Sequence, residues 1–357
     1  MSYPDENSWW NEFTNDVNAT YNEAQEPLND GKFKWFTRTA YDIGAGLEEE
    51  QSRVKHLNEL RAQLGLELLP IPEPAPIPPL SEIGIDGIRF IENGKIWKWR
   101  GFSDFLLFYL LANGGNLRPI IQNRRNYGAN VLRVFGMWPN PPLFRPQDYP
   151  HYFDDLNTLA DLLAEERMRM EFTVFAGAQI IIPYTNNQLS FFNQVVEVLQ
   201  PKKNVFIELV NEYKQNGIKP ENFSKPSGII SCAGSPLGDE APPLPAWDYS
   251  NIHTRRDTPK WMMQGPESWW YINGFPEFVG VHQPVVNDEP IGAGEVNQEG
   301  RRTTDASGLA KLAMDATAFG NGITFHSEDG IYSRFLGPNQ DNCARGFFHG
   351  CAVGAQL

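Results

Sequence analysis

Two apolar segments of this 357-residue chain end in acid. The first reads Val205-Phe206-Ile207-Glu208-Leu209-Val210 and runs directly into Asn211-Glu212. The second reads Pro284-Val285-Val286-Asn287-Asp288-Glu289. Each is a short apolar run of the kind that forms a buried strand, so each would deliver a carboxylate to a strand end. Two carboxylates converging from opposite sides of one cleft suit the hydrolysis of a glycosidic bond. One protonates the leaving oxygen while the other attacks the anomeric carbon or activates water. Glu212 is the candidate on the first segment. On the second, Asp288 and Glu289 compete, since strand alternation sends neighbouring side chains to different faces. Glu208 lies within its strand and is expected to be paired internally, because an unpaired buried carboxylate is costly.

The elements that must hold these groups occupy residues 81–357. A hairpin is signalled over Ile88–Trp99, with Asn93-Gly94 as a type I′ turn. Counting Ile96–Phe102 as the first, short strands recur at Ala129–Trp138, Glu171–Ala178, Val205–Val210, Gly228–Cys232, Tyr249–His253, Pro284–Asn287 and Gly322–Phe325. Helical patterns at Phe153–Arg167, Leu189–Leu199 and Ser307–Ala318 separate several of them. Eight strands interleaved with helices predict an α/β fold, a (β/α)8 TIM barrel, whose catalytic groups sit at the C-terminal strand ends. No Gly-rich phosphate loop follows an early strand, which weighs against a doubly wound nucleotide-binding sheet.

Upstream the composition changes. Pro70-Ile-Pro-Glu-Pro-Ala-Pro-Ile-Pro-Pro79 is expected to be an extended polyproline strut, roughly 30 Å long at about 3.1 Å per residue. It separates a helical arm, residues 1–69, from the barrel, with residues 70–80 as linker. In the arm, Trp10, Phe13, Val17, Tyr21 and Ala24 form one apolar stripe. A second helix is expected from about Leu47 to Leu68, with Val54, Leu57, Leu64 and Leu68 at heptad positions but Glu50 and Arg61 at two others. Such faces must pack on each other, on the barrel, or on a protein partner or second copy.

Composition narrows the function classes. A net charge of −14 argues against nucleic-acid binding. The longest apolar run, Phe105–Ala112, is far below the ~20 residues needed to span a bilayer. The N-terminus is polar and acidic without an apolar h-region, so no secretory signal is expected in the chain as given, and synthesis in the cytoplasm is the default. Cys232, Cys343 and Cys351 show no metal or disulfide spacing. No metal or other cofactor is expected.

Three stretches resemble the large clan of retaining (β/α)8 glycoside hydrolases with acid/base after strand four and nucleophile ending strand seven: Asn93–Gly101, Phe206–Glu212 and Val285–Glu289. The resemblance implies Glu212 as acid/base, Asn211 as the holder of a sugar 2-hydroxyl, and Glu289 rather than Asp288 as nucleophile. Arg133 matches an arginine common on strand two that orients a catalytic carboxylate, with a plain ion pair to Glu208 as the alternative. His253 and His326 are candidates to bond sugar hydroxyls, Trp138, Trp269 and Trp270 to stack on pyranose faces, and Arg100 and Asp329 stand near predicted strand ends. The sequence departs from the clan in lacking a strand-six tyrosine, where His253 stands, and a strand-eight tryptophan, where Phe325-His326-Ser327-Glu328 stands. The expected ligand is a polysaccharide or cell-surface glycan. A short arm, a strut and a glycan-active body resemble a phage virion appendage; a catalytically weak carbohydrate-binding adhesion protein, or a structural virion protein, on the same barrel is the alternative.

Overall fold

A computed structural model describes residues 54–59, 61–62, 65–69, 80–235, 247–253, 283–295, 302–318 and 320–356. The expected first helix, the proline strut, Trp269 and Trp270 lie outside them. The chain divides into two compact units, residues 1–78 and 79–357. In the first unit, residues 54–59 and 61–62 are helical. The second helix expected in the arm stops well before Leu68. Gly65, at φ 68°, takes the left-handed conformation that ends helices, and residues 66–69 are extended. Asn58 fastens the returning chain, donating to the carbonyl of Leu69 (2.9 Å) and accepting from its amide (2.6 Å).

The second unit is the barrel. Its strands are β1 (Arg100–Ser103), β2 (Val131–Phe135), β3 (Arg169–Phe175), β4 (Val205–Val210), β5 (Ser231–Cys232), β6 (Ser250–His253), β7 (Val285–Glu289) and β8 (Gly322–Phe325). All neighbours pair in parallel, in the order β5-β4-β3-β2-β1-β8-β7-β6. Two backbone bonds, from the amides of Asp248 and Tyr249 to the carbonyl of Ser231, cross between β5 and the start of β6. The fold is therefore an eight-stranded, nearly closed parallel barrel of TIM type.

The outer faces of the strands meet helices α1 (Arg118–Tyr127), α2 (Tyr152–Glu165), α3 (Thr185–Leu199), α4 (Ala306–Ala318) and α5 (Pro338–Gly354). In α2 the buried residues Tyr152, Leu156, Leu159, Ala160 and Leu163 recur at helical spacing, so one stripe faces the sheet. The last helix contains three glycines, a residue that ordinarily weakens a helix interior. Gly346, Gly350 and Gly354 instead form one row facing α4. A Cβ there would come within 2.5, 2.0 and 2.3 Å of the carbonyl oxygens of Ala306, Ala310 and Met314. The two backbones are in contact, and only hydrogen fits between them.

The strands point alternate residues into the lumen, and those residues form distinct layers. The bottom is plugged by the antiparallel meander 83–96, whose turn residues Asn93 (φ 51°) and Gly94 (φ 74°) have the two positive φ angles of a type I′ turn. Ile96 belongs to this meander, so the first barrel strand begins at Arg100 rather than Ile96. Phe90, Trp97 and Trp99 pack there with Phe206 of β4, Tyr249, Val131 of β2 and Val286 of β7. The Trp99 and Phe206 ring centres are 4.7 Å apart. Above this plug the lumen turns polar. Among the described residues no helix is long and apolar enough to cross a membrane.

Candidate active site

Arg133, in the middle of β2, organises the polar layer. Its side chain is wholly buried. Nε and Nη2 donate to the two carboxylate oxygens of Glu208 on β4 (2.9 and 3.0 Å), and Nη1 donates to Glu289 at the end of β7 (2.6 Å). Nη2 also donates to Oδ1 of Asn211 (3.0 Å), and Nε lies 3.2 Å from Asp288. The guanidinium rests beside Phe105 and Phe135, at 5.3 and 5.0 Å from their ring centres. Burial opposes its charge, but Asp288, Glu208 and Glu289 outweigh that effect and hold its pKa well above the usual range. Arg133 is thus a fixed cation serving several carboxylates.

Asp288 and Glu289 both reach this cation. Alternation alone would turn one of them away. The pairing of β7 with β6 shifts register between Asn287 and Glu289, and this irregularity lets consecutive side chains serve the same layer. Asp288 is fully buried and accepts from the amide of Asn251, while Glu289 stays slightly open at the mouth. Glu171 on β3 completes the acids. It accepts from the Tyr249 hydroxyl (2.8 Å) and lies 3.9 Å from Arg133. Burial, with Asp288 and Glu208 nearby, drives the Glu171 carboxyl well above the ordinary range. Burial likewise lifts Glu208 to about 7 against the pull of Arg133; Thr173 donates to it.

Glu212 follows β4 in a backbone conformation that non-glycine residues seldom adopt, φ 45°. Asn216 braces the turn: its amide donates to the carbonyls of Asn211 and Glu212 (3.2 Å to the latter), and its oxygen accepts from the Gly177 amide. One Glu212 oxygen is 3.0 Å from Nδ1 of His253; the other accepts from Gln215, an exposed side chain. His253 ends β6 and is only 2% exposed at its side chain. Its Nε2 contacts Asp288 at 3.0 Å with poor hydrogen-bond alignment, and its Nδ1 lies 3.8 Å from Glu289. Burial disfavours a charged ring, but Glu289, Asp288 and the bond to Glu212 lift its pKa to about 10, so at neutral pH it is an imidazolium. One oxygen each of Glu212 and Glu289 and one nitrogen of His253 lie within 4.8 Å of one another.

That trio, and the set Glu208, His253 and Asp288, has the proximity of a metal site. The chemistry of the surroundings does not fit one. Arg133 bonds Glu208 and Glu289 directly, and a second cation would be repelled.

The structure thus gathers Glu212, Glu289, Asn211, Arg133 and His253 at one end of the barrel. His253 is buried between carboxylates rather than turned to the cleft for sugar hydroxyls. His326, beyond β8, bonds the Ser103 hydroxyl through Nδ1 (3.1 Å) and packs 5.5 Å from Phe105. Trp138, beyond β2, joins the aromatic floor made by Phe105 and Phe135 (5.9 and 5.8 Å), and its indole nitrogen has no hydrogen-bond partner among the described residues. Two candidates are elsewhere. Arg100 opens β1, and so stands at the opposite end of the strand from the mouth. Asp329 accepts from the Gly337 amide (2.9 Å) and from Gln340 (2.8 Å), tying a loop to α5. Glu171, Tyr249, Asn251 and Asn216 were missed by sequence reasoning. Polar residues two apart in apolar strands, as in Glu171-Phe172-Thr173 and Asn251-Ile252-His253, were the available signal.

Neither a family model nor a curated protein sequence matches the chain. Solved structures do. A candidate glycoside hydrolase from Bacteroides vulgatus aligns at TM-score 0.58 and 12% identity, over 73% of this chain and 59% of its own. A family 5 glycoside hydrolase from the same organism aligns at 0.51 and 12%, over 71% and 64%. This chain therefore spans less than two thirds of either. A β-glucanase from Saccharophagus degradans, solved with cellotetraose, aligns at 0.55 and 14%, over 78% of this chain and 97% of its own. The barrel is structurally similar to family 5 glycoside hydrolases of the retaining TIM-barrel clan, and at these identities the likeness is one of fold.

Proposed function

We propose that the barrel hydrolyses glycosidic bonds in a polysaccharide with retention of anomeric configuration. The observation that carries this reading is the approach of Glu212 and Glu289 to within 4.8 Å, oxygen to oxygen, beside Arg133. Retention needs carboxyl groups about 5–5.5 Å apart, whereas inversion leaves about 6.5–9.5 Å for a water. Arg133 holds and aims Glu289 and faces its carboxylate with a positive charge, which suits the nucleophile. Glu212 is the proton donor to the leaving oxygen and later the base that takes a proton from water. The Glu212 oxygen that faces the substrate is the one now held by Gln215, an exposed side chain that a glycosidic oxygen can displace. Asn211, its carbonyl fixed by Arg133, presents its amide to a sugar hydroxyl. Attack by Glu289 gives a covalent glycosyl-enzyme, and water activated by Glu212 releases the sugar.

The fold likeness to a β-glucanase makes soluble β-glucan the first polymer to try. Wild-type protein is expected to release reducing ends, with the initial product anomer matching the substrate by NMR. Glu212→Gln and Glu289→Gln should each fold normally and lose activity, by about 10²–10⁴-fold for the acid/base on substrates with poor leaving groups. An inverted product would overturn the roles assigned. Binding without cleavage by wild type across glucans, mannans and bacterial surface polysaccharides would leave a carbohydrate-binding barrel instead.

A further inference from the structure

A groove of ≈ 570 Å³ lies apart from the mouth, between the loops that follow β2 and β3 and the outer faces of α2 and α3. Glu212, Glu289, Arg133 and Trp138 do not line it. One wall is α3. Asn187, Ser190 and Gln194 sit at positions i, i+3 and i+7, so they share a face of this helix, and all three are exposed. Tyr184 heads that row at the start of the helix and is 71% exposed. The other wall carries Tyr149 and Phe153. Beneath them, Phe191 packs on Tyr152 and Phe153 with ring centres 5.6 and 6.0 Å away, so the floor is rigid.

The lining chemistry is selective. None of its described residues is charged, in a chain where 21% of residues are. Aromatic faces combined with a row of neutral amides and a hydroxyl offer an apolar surface and paired donors and acceptors together. The Tyr184 ring, 71% exposed, presents its face to solvent at the rim of the groove, where a flat apolar ligand surface can stack on it. A pyranose presents the complementary surfaces: C–H faces for stacking and a rim of uncharged hydroxyls. A strongly anionic protein meets neutral polymers without repulsion, and a groove without cations has nothing to attract an acidic one.

We infer that this groove is a second, non-catalytic binding site for an uncharged polysaccharide chain, with Tyr184 as its stacking platform. The ligand class rests on the glycan-active reading of the mouth; the groove itself does not. Such a site holds a long polymer against the barrel while the mouth works on one stretch of it. Its contribution scales with chain length and vanishes for short substrates.

Affinity electrophoresis of the full chain carrying Glu212→Gln, through gels containing barley β-glucan, galactomannan or hydroxyethylcellulose, tests this without cleavage. Retardation by at least one neutral polymer is expected, with its loss on adding Tyr184→Ala or Gln194→Ala, both exposed positions whose truncation leaves the fold intact. In the otherwise wild-type chain, Tyr184→Ala should lower turnover of polymer while leaving that of a short aryl glycoside unchanged. Retardation that is absent, or unaffected by both substitutions, overturns the inference. So does Tyr184-dependent retardation by polygalacturonate alone, or Tyr184-dependent binding of a synthetic peptide spanning the proline-rich residues 69–80. If wild type cleaves nothing yet retardation depends on Tyr184, the reading of the mouth fails and the groove stands. Cleavage without Tyr184-dependent retardation gives the reverse.

Discussion

The plug and the mouth are built by the same strands, two residues apart, and they follow opposite rules. Val131 belongs to the plug and Arg133 to the polar layer; Phe206 is followed by Glu208, Tyr249 by Asn251, and Val286 by Asp288. At each of these four strands one lumen position goes to apolar burial and the next to a charged or amide group. The plug gains free energy from every ring it removes from water. The polar layer loses solvation for each carboxylate it hides and recovers it only through Arg133, His253 and neutral donors. Apolar burial is concentrated at one end of the lumen and buried charge at the other, and the charged end is the one that carries strain, the positive φ of Glu212.

Substituting one residue in each layer tests that division. Arg133→Met should have the largest effect, because it leaves Glu208, Asp288 and Glu289 without their shared cation. A loss of about 3–5 kcal/mol in unfolding free energy is expected, measured by urea denaturation, together with loss of any hydrolysis. Phe206→Ala in the plug should cost a similar 3–5 kcal/mol through the cavity it leaves, yet the surviving folded fraction should keep its turnover. If turnover fell as steeply as with Arg133→Met, the two layers would not be separable.

The smallest effect is one of pH. Glu208 binds its proton more tightly folded than unfolded, so its contribution to stability is complete below its unfolded pKa of about 4.3 and is lost as pH rises towards about 7. His253 has the same sign over a higher window. Its contribution is complete below about 6.5 and lost as pH climbs through about 10. Thermal melts of Glu208→Gln should show a shallower first decline, since Glu171 still contributes with the same sign, and keep the second. A wild-type stability that rises between pH 4.5 and 7 would contradict this account of the polar layer.

Much of the mouth was legible because strand ends are written locally. An apolar run ending in Asn211-Glu212, and another ending in acid, declare their carboxylates without tertiary knowledge. What was illegible depended on register and packing. The shift at Asn287–Glu289 brings Glu289 into the same layer as Asp288, and no residue type announces it. Arg100 was assigned to a strand end because Trp97 and Trp99 read as strand, whereas they turn down into the plug and the first barrel strand starts after them. His253 looked like a surface ligand for sugar because its neighbours in space, Asp288 and Glu212, are far away in sequence. Asp329 reads as a mouth acid until Gly337 and Gln340 are seen to use it.

The glycine row of α5 bears on how the barrel is closed. Besides lying directly on α4, this helix stacks Phe348 against Phe102 of β1 (6.1 Å) and Phe347 against Phe325 of β8 (5.4 Å). It therefore clasps the seam where the first strand of the barrel meets the last. Strand β1 has no partner on this side until residues 322–325 of β8 have been made, and α5, which follows at residues 338–354, then covers their junction. Until β8 pairs, that edge of β1 is bare, and unpaired strand edges are in general prone to aggregate. Three hydrogens in place of methyl groups thus let the helix that covers this junction lie directly on its neighbour.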